Sequence, residues 1–183
     1  VVIMYASMYG NTASAADALA GALAVRGVKK IAVYDVSNAH VSELISEIFR
    51  ASHLVFAAPT YNAGIYPVME NLLSDMKALA VQKKTVAVME NGTWAPTAAK
   101  QVKEKISEMK DMTILDTGLT IKSAMHADQK AELDALADEA VAENPADRCY
   151  HCKRNLFGTL TQRARADGYC LLLDGTNASD DAG

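Results

Sequence analysis

Apolar residues follow two alternating patterns through the first 142 positions of the chain. Short, nearly continuous apolar runs at 1–5 (VVIMY), 31–35 (IAVYD), 54–58 (LVFAA) and 85–89 (TVAVM), with a fifth inside 113–121, predict buried strands. Between them, apolar side chains recur at helical spacing. The sets are Ala15, Leu19, Ala22 and Leu23, then Val41, Leu44, Ile45 and Ile48, then Met69, Leu72, Leu73 and Met76. A fourth set is Ala99, Val102, Ile106 and Met109, and a fifth is Leu133, Leu136, Ala140 and Val141. Gly27 is placed to end the first helix. Strands apolar on both faces, each followed by an amphipathic helix, predict an open, doubly wound α/β domain with a parallel sheet covered on both sides.

Ligands of such sheets sit beyond the carboxyl ends of the strands, where the strand order reverses. Three stretches at that edge stand out. The first is Ser7, Met8, Tyr9, Gly10, Asn11 and Thr12; the second is Pro59, Thr60, Tyr61, Asn62, Ala63 and Gly64; the third begins at Glu90 and runs through Asn91, Gly92, Thr93, Trp94 and Ala95 to Pro96. A strand running into 7–12 and then a helix offers backbone N–H groups and hydroxyls at a positive dipole end, with Gly10 free to adopt a left-handed conformation. No Lys or Arg occurs before Arg26, so an anion there would be held by dipoles, which suits a terminal monophosphate. Neither G-x-x-x-x-G-K-[ST] nor G-x-G-x-x-G is present. The same composition also fits an ordinary strand-to-helix turn with a capping Asn or Thr. Small residues in the other two loops would let backbone groups reach the edge of a planar heterocycle while Tyr61 or Trp94 covers its face; alternatively, these aromatics cap the end of the sheet.

The chain has 183 residues, half of them apolar, which allows one domain of ordinary size plus an appendage. A net charge of −4 and a pI near 5.5 argue against nucleic acid as a partner. No apolar run reaches membrane-spanning length and no signal-peptide pattern opens the chain, so no membrane partner and a cytoplasmic location are expected. A chain that opens directly on a strand leaves room for residues, or a whole domain, upstream. Cys149, Cys152 and Cys170 all lie after residue 148, a distribution unlike that of a disulfide-stapled secreted fold. Residues 1–142 carry 13 basic and 16 acidic side chains, net −3, and residues 143–183 carry 5 and 6, net −1.

The loop SMYGNT resembles the FMN phosphate loop of the flavodoxin family, and the strand succession resembles its short-chain form, with sheet order 2-1-3-4-5. More narrowly, APTYNAGIYP at 58–67 and MENGTWAPTAAK at 89–100 resemble the flavodoxin domain of A-type flavoproteins, the flavodiiron or rubredoxin:oxygen oxidoreductase family. Flavodoxins are themselves a standard illustration of ligand binding at the switch point. The resemblance implies an FMN-binding domain over 1–142, with the ribityl phosphate on residues 7–12 and the isoalloxazine between residues 60–64 and 91–95, against Trp94 or Tyr61. The third loop has NGTW where many members carry SYGW. The implied role is electron transfer from a reductase or rubredoxin-like donor to an acceptor protein or domain, and a homo-oligomer is compatible with it. A net-negative domain would disfavour the anionic reduced flavin and lower its potential.

The same family places oxygen or nitric oxide reduction on a separate diiron domain of metallo-β-lactamase type. No H-x-E-x-D-H cluster occurs here, and His40, His53, His126 and His151 are scattered, the first three expected at the surface or at strand edges. This chain alone is therefore expected to carry electrons without a diiron site of its own. A flavodoxin-like NAD(P)H:quinone reductase shares the phosphate loop and is the rival enzyme, while a flavin-free interaction module is the rival binding protein. A phospho-acceptor receiver would need an acidic pair after the first strand, where Ala6-Ser7-Met8 stands instead.

Residues 143–183 form a cysteine-containing tail, read as a partial second domain. NPADRCYHCKRNL at 144–156 opens it, a helix to Asp167 is stopped by Gly168, a strand follows at 169–173, and DGTNASD ends it at 174–180. The stretch resembles a fragment of PP-loop ATP pyrophosphatases related to sacrificial sulfur-insertion enzymes, without their SGGxDS motif. Either a truncated remnant or a trimmed domain fits. Cys149, Cys152 and Cys170 with His151 could ligate zinc or an iron–sulfur cluster, or be free thiols in a reducing compartment. The tail strand could also simply extend the sheet at its edge.

Overall fold

Residues 1–142 are described by a computed structural model. In chain order the elements are β1 (Val2–Tyr5), α1 (Asn11–Val25), β2 (Ala32–Asp35), α2 (Val41–Arg50), β3 (His53–Tyr61), β4 (Gly64–Ile65) and α3 (Pro67–Ala78). They continue with β5 (Thr85–Asn91), α4 (Ala98–Ser107), β6 (Thr113–Ile121), a 3₁₀ turn (Ala127–Gln129) and α5 (Lys130–Ala142). The parallel strands lie in the order β2-β1-β3-β5-β6, and β4 pairs antiparallel with the end of β3. Without the short β4 this is the 2-1-3-4-5 order implied by the resemblance. The chain moves one way from β1 to β2 and returns past β1 to β3, so the switch point lies between the carboxyl ends of β1 and β3, where Tyr5 faces Ala57.

Strand alternation divides the core into two layers. Val2, Met4, Leu54, Phe56, Val86 and Val88 face Leu44 and Ile48 of α2, Leu72, Leu73 and Met76 of α3, and Val102 and Ile106 of α4. Ile3, Val55, Ala57, Ala87 and Met89 face α1 and α5 through Ala15, Ala16, Leu19, Leu133, Leu136 and Ala140. The second layer is rich in alanine, which lets α1 lie close to the sheet beneath the first loop. Arg26 fastens the far end of α1 to α5, with Nε 2.5 Å from Asp138 and Nη1 3.1 Å from Asp134.

Three local expectations change. Residues 59–64 are a hairpin rather than an irregular loop, because β3 continues through Pro59 and Thr60 to Tyr61 and turns at Asn62 and Ala63, both at positive φ (49° and 60°). Val41 is 41% exposed at the start of α2, and Met109 is buried although α4 ends at Ser107. His53 is 3% exposed at the first position of β3, its Nδ1 2.9 Å from the Ser52 hydroxyl, whereas His40 and His126 are exposed residues that cap helical turns. The expectations for residues 143–183, including Cys149, Cys152, Cys170 and His151, lie outside the described residues.

The β5–β6 ladder contains an irregularity. Val86 pairs with Ile114 and Val88 with Gly118, so Leu115, Asp116 and Thr117 stand opposite Ala87 alone. The Glu139 carboxylate accepts from the N–H groups of Asp116 (3.1 Å) and Thr117 (2.9 Å), and Lys103 Nζ donates to the Leu115 carbonyl (3.0 Å). Hydrogen bonding from Thr117 outweighs desolvation and holds the Glu139 carboxyl below its ordinary range.

Candidate functional site

The three loops singled out in the sequence meet at the carboxyl rim, and specific side chains tie them together. Thr12, 2% exposed, accepts from Asn91 Nδ2 at 3.5 Å, linking the first loop to the third. Asn91 also binds the turn after β6, donating to the Ser123 carbonyl (2.8 Å) and accepting from the Ser123 N–H (3.1 Å). Thr60 Oγ1 accepts from the N–H groups of Thr97 (3.0 Å) and Ala98 (3.1 Å), and the Ala63 carbonyl accepts from the Thr97 hydroxyl (3.1 Å) and Gln101 Nε2 (2.7 Å). The second loop is thereby fixed to the start of α4, which directly follows the third. Gly92 lies where they touch: a Cβ there would come 3.0 Å from Pro96 Cα and 3.2 Å from Thr60 Oγ1.

The helix N-termini near this rim differ in what fills them. A helix begins with N–H groups that its own ladder leaves unpaired. At α2 the His40 ring accepts from Ser42 N–H and Glu43 lies in the first turn; α3 has Pro67 in its first turn and also Glu70; α5 has Glu132. At α4, Thr60 takes the N–H groups of Thr97 and Ala98, and Glu90 Oε2 takes that of Ala99 at 2.8 Å. The α1 end is different. Its ladder starts with Ser14 N–H to the Gly10 carbonyl (2.9 Å), no side chain caps it, and its first turn has no acidic residue. Gly10 sits at φ 87°, a left-handed value that favours glycine, and its N–H goes to the Ser7 hydroxyl at 3.0 Å. Among the described residues, α1 is thus the helix whose leading N–H groups meet neither a side-chain acceptor nor an acidic residue in the first turn, so its positive dipole end is unanswered within the fold.

Charge is absent from the rim itself: residues 7–14, 59–66 and 91–99 contain no Asp, Glu, Lys or Arg. Its exposed surface is aromatic and thioether. Trp94 is 96% exposed, Tyr9 88%, Tyr61 43% and Met8 40%. Trp94 therefore does not cap the sheet. Tyr61 packs its ring at 81° on Tyr66, with centroids 5.8 Å apart. Thr93 and Ala95 are exposed beside Trp94, Asn62 and Ala63 form the exposed hairpin turn, Pro59 is buried, and Gly64 is half-buried beside Gln101.

The candidate residues divide accordingly. The side chains of Thr60 and Asn91 are committed to holding loops and that of Thr12 is buried against Asn91, while Ser7, Gly10, Asn11 and the exposed aromatics remain on the open side. Glu90, Gln101 and Ser123 were not among the candidates. An acid closing the apolar run TVAVM is the signal that marks Glu90, whereas nothing in the sequence marks the other two. A cavity of about 440 Å³ lies away from the rim, between α1 and the start of α5, lined by Ala18, Gly21, Val25, Arg26, Met125 and Lys130 among others. It touches none of the three loops. No group of three or more His, Cys, Asp or Glu side chains placed to hold a metal ion occurs among the described residues, and none of the described helices is long and apolar enough to cross a membrane.

Comparison with known proteins agrees with this arrangement. Residues 3–140 match the family model described as Flavodoxin. An uncharacterized protein of Methanocaldococcus jannaschii is 28% identical over 123 residues, covering 67% of this chain and 31% of that protein. A nitric oxide reductase of Moorella thermoacetica is 29% identical over 121 residues, 66% of this chain and 30% of the relative. The chain thus spans about a third of the length of these curated relatives. Among solved structures, rubredoxin oxygen:oxidoreductase from Desulfovibrio gigas superposes with a TM-score of 0.71 at 27% identity, over 77% of this chain and 35% of that one. Flavodoxin 1 from Bacillus cereus shares the fold, with a TM-score of 0.68 at 21% identity over 79% of this chain and 98% of that one. The chain belongs to the flavodoxin family, and within it to the flavodoxin-like domains of the A-type flavoproteins.

Proposed function

We propose that the chain is an FMN-binding electron-transfer module, with the phosphate at the α1 N-terminus and the flavin ring between the second and third loops. The observation that carries the reading is the unfilled α1 end, set on a rim whose three loops are bonded to one another. Asn11, Thr12 and Ala13 would present their N–H groups, Ser7 and Thr12 their hydroxyl protons, to a dianionic phosphate. The residues of 59–64 and 91–95 would bring backbone groups to the ring edge, and Trp94 or Tyr61 would cover its face and exclude water. Bound FMN supplies reversible one- and two-electron chemistry; the chain supplies position and electrostatics. The net-negative domain disfavours added negative charge on the ring, which lowers its potential.

The donor in this reading is a reductase or rubredoxin-like protein and the acceptor a diiron oxygen or nitric oxide reductase site on another domain or chain, in the cytoplasm. The D. gigas and M. thermoacetica proteins support that direction through what their names say of them. The test is the visible spectrum of the protein after purification and after incubation with FMN, with the released flavin identified. Flavin bands and released FMN are expected; a colourless protein that does not take up FMN overturns the reading. Rapid NADPH oxidation with a quinone as sole acceptor would instead identify a reductase in its own right.

A further inference from the structure

We propose that Glu90 is a positioning residue for the flavin ring, acting as a clasp that closes the base of the third loop. The inference rests on the FMN reading above. Glu90 is 7% exposed at the carboxyl end of β5, directly opposite Thr120 in the ladder with β6. Its Oε1 accepts from the Thr120 hydroxyl at 3.0 Å and its Oε2 from Ala99 N–H at 2.8 Å. A buried carboxylate is costly even when hydrogen-bonded, and an apolar residue would fill this strand position at lower cost. What the carboxylate adds is geometry: it joins the penultimate residue of β5 to the first turn of the helix after the loop.

The consequence reaches the second loop. Thr97 is the N-cap residue of α4, yet its hydroxyl does not cap the helix; it donates to the Ala63 carbonyl of the hairpin turn. That is affordable because Glu90 and Thr60 already satisfy the leading N–H groups of α4. Remove the carboxylate, and the hydroxyl of Thr97, the N-cap residue, is the group that normally accepts from an N–H at the position of Ala99. Turning to do so releases Ala63. Glu90 thus keeps both ring-binding loops in register while touching neither the ring nor the phosphate.

The experiment measures dissociation constants for FMN and riboflavin, and the visible circular dichroism of the bound flavin, on the full chain and on Glu90→Gln, Glu90→Leu and Thr120→Val. Glu90→Leu, which removes both hydrogen bonds of the clasp, is expected to weaken both flavins about tenfold through the loosened loops, leaving the FMN-to-riboflavin ratio unchanged and altering the shape of the flavin dichroism. Glu90→Gln, whose amide oxygen still accepts from Ala99 and whose amide nitrogen donates to Thr120 Oγ1, is expected to restore affinity to within about threefold. Thr120→Val removes one arm only and supplies a milder variant, expected to fall between the two. The proposal is overturned if Glu90→Leu binds riboflavin like the parent, if only the amplitude of the dichroism changes, or if Glu90→Gln is as impaired as Glu90→Leu. A parent chain that binds neither flavin removes the proposed function and this clasp together; a flavin-binding parent with indifferent variants removes the clasp alone.

Discussion

Helices α1 and α4 both start at the carboxyl rim, α1 after β1 and α4 after β5, and both lack an acidic residue in the first turn. They end up with opposite properties. The leading N–H groups of α4 are taken by Thr60 and Glu90 from two neighbouring strands, so its dipole is answered within the protein. Those of α1 are preceded only by Gly10 and the Ser7 hydroxyl. One end is finished by the fold and the other, in the function proposed above, by the phosphate of FMN, and the difference lies in side chains that belong to neither helix.

The largest expected effect comes from finishing α1 in the way α4 is finished. Asn11→Asp places a carboxylate where the phosphate would lie; FMN affinity is expected to fall about a hundredfold, with riboflavin affinity little changed and the flavin-free protein no less stable, by fluorescence titration and urea unfolding. An unchanged FMN affinity would show that α1 is not the anion end. The converse change disturbs α4: Glu90→Leu leaves the Thr120 hydroxyl without its acceptor, draws Thr97 off Ala63 to cap Ala99, and should cost about 2 kcal/mol in urea unfolding of the flavin-free chain. Trp94→Ala sharpens the comparison, because its fully exposed side chain should add less than about 0.5 kcal/mol to stability, yet its loss should weaken FMN about tenfold if it covers the ring.

The smallest effect concerns pH. Glu139 is held down by hydrogen bonding from Thr117, and Asp138 by hydrogen bonding from Arg26. Carboxyls whose folded values are depressed stabilise the fold above their unfolded values, 4.5 and 3.8, and lose that contribution as pH falls through the lower folded values. A modest fall in the melting temperature is expected below about pH 4.5, weaker in Glu139→Gln.

Apolar periodicity was enough to read the strand succession and the core, since four of the five parallel strands hold a nearly continuous apolar run, β6 being interrupted by Asp116, Thr117 and Thr120, and each helix shows its own stripe. Turn chemistry was harder. The hairpin at 61–64 places Asn62 and Ala63 at positive φ with Gly64 after them, so the usual Asn-Gly pair is missing and β4 is hidden. Within the site, loop composition located Ser7 to Thr12, but it could not separate residues facing outward from residues holding the loops. Thr60, Asn91 and Glu90 find partners 37, 32 and 9 residues away, at Thr97, Ser123 and Ala99, and no local pattern encodes such pairings.

The irregular stretch of β6 has a bearing on how the molecule behaves in a crowd. An outer strand with a straight row of unpaired amides invites another chain to add itself, and repetition of that step leads to fibres. Here the two amides at the middle of the row already belong to Glu139 and one carbonyl to Lys103. Among the described residues, a newcomer at this stretch would meet a bent, charged obstacle instead of a template.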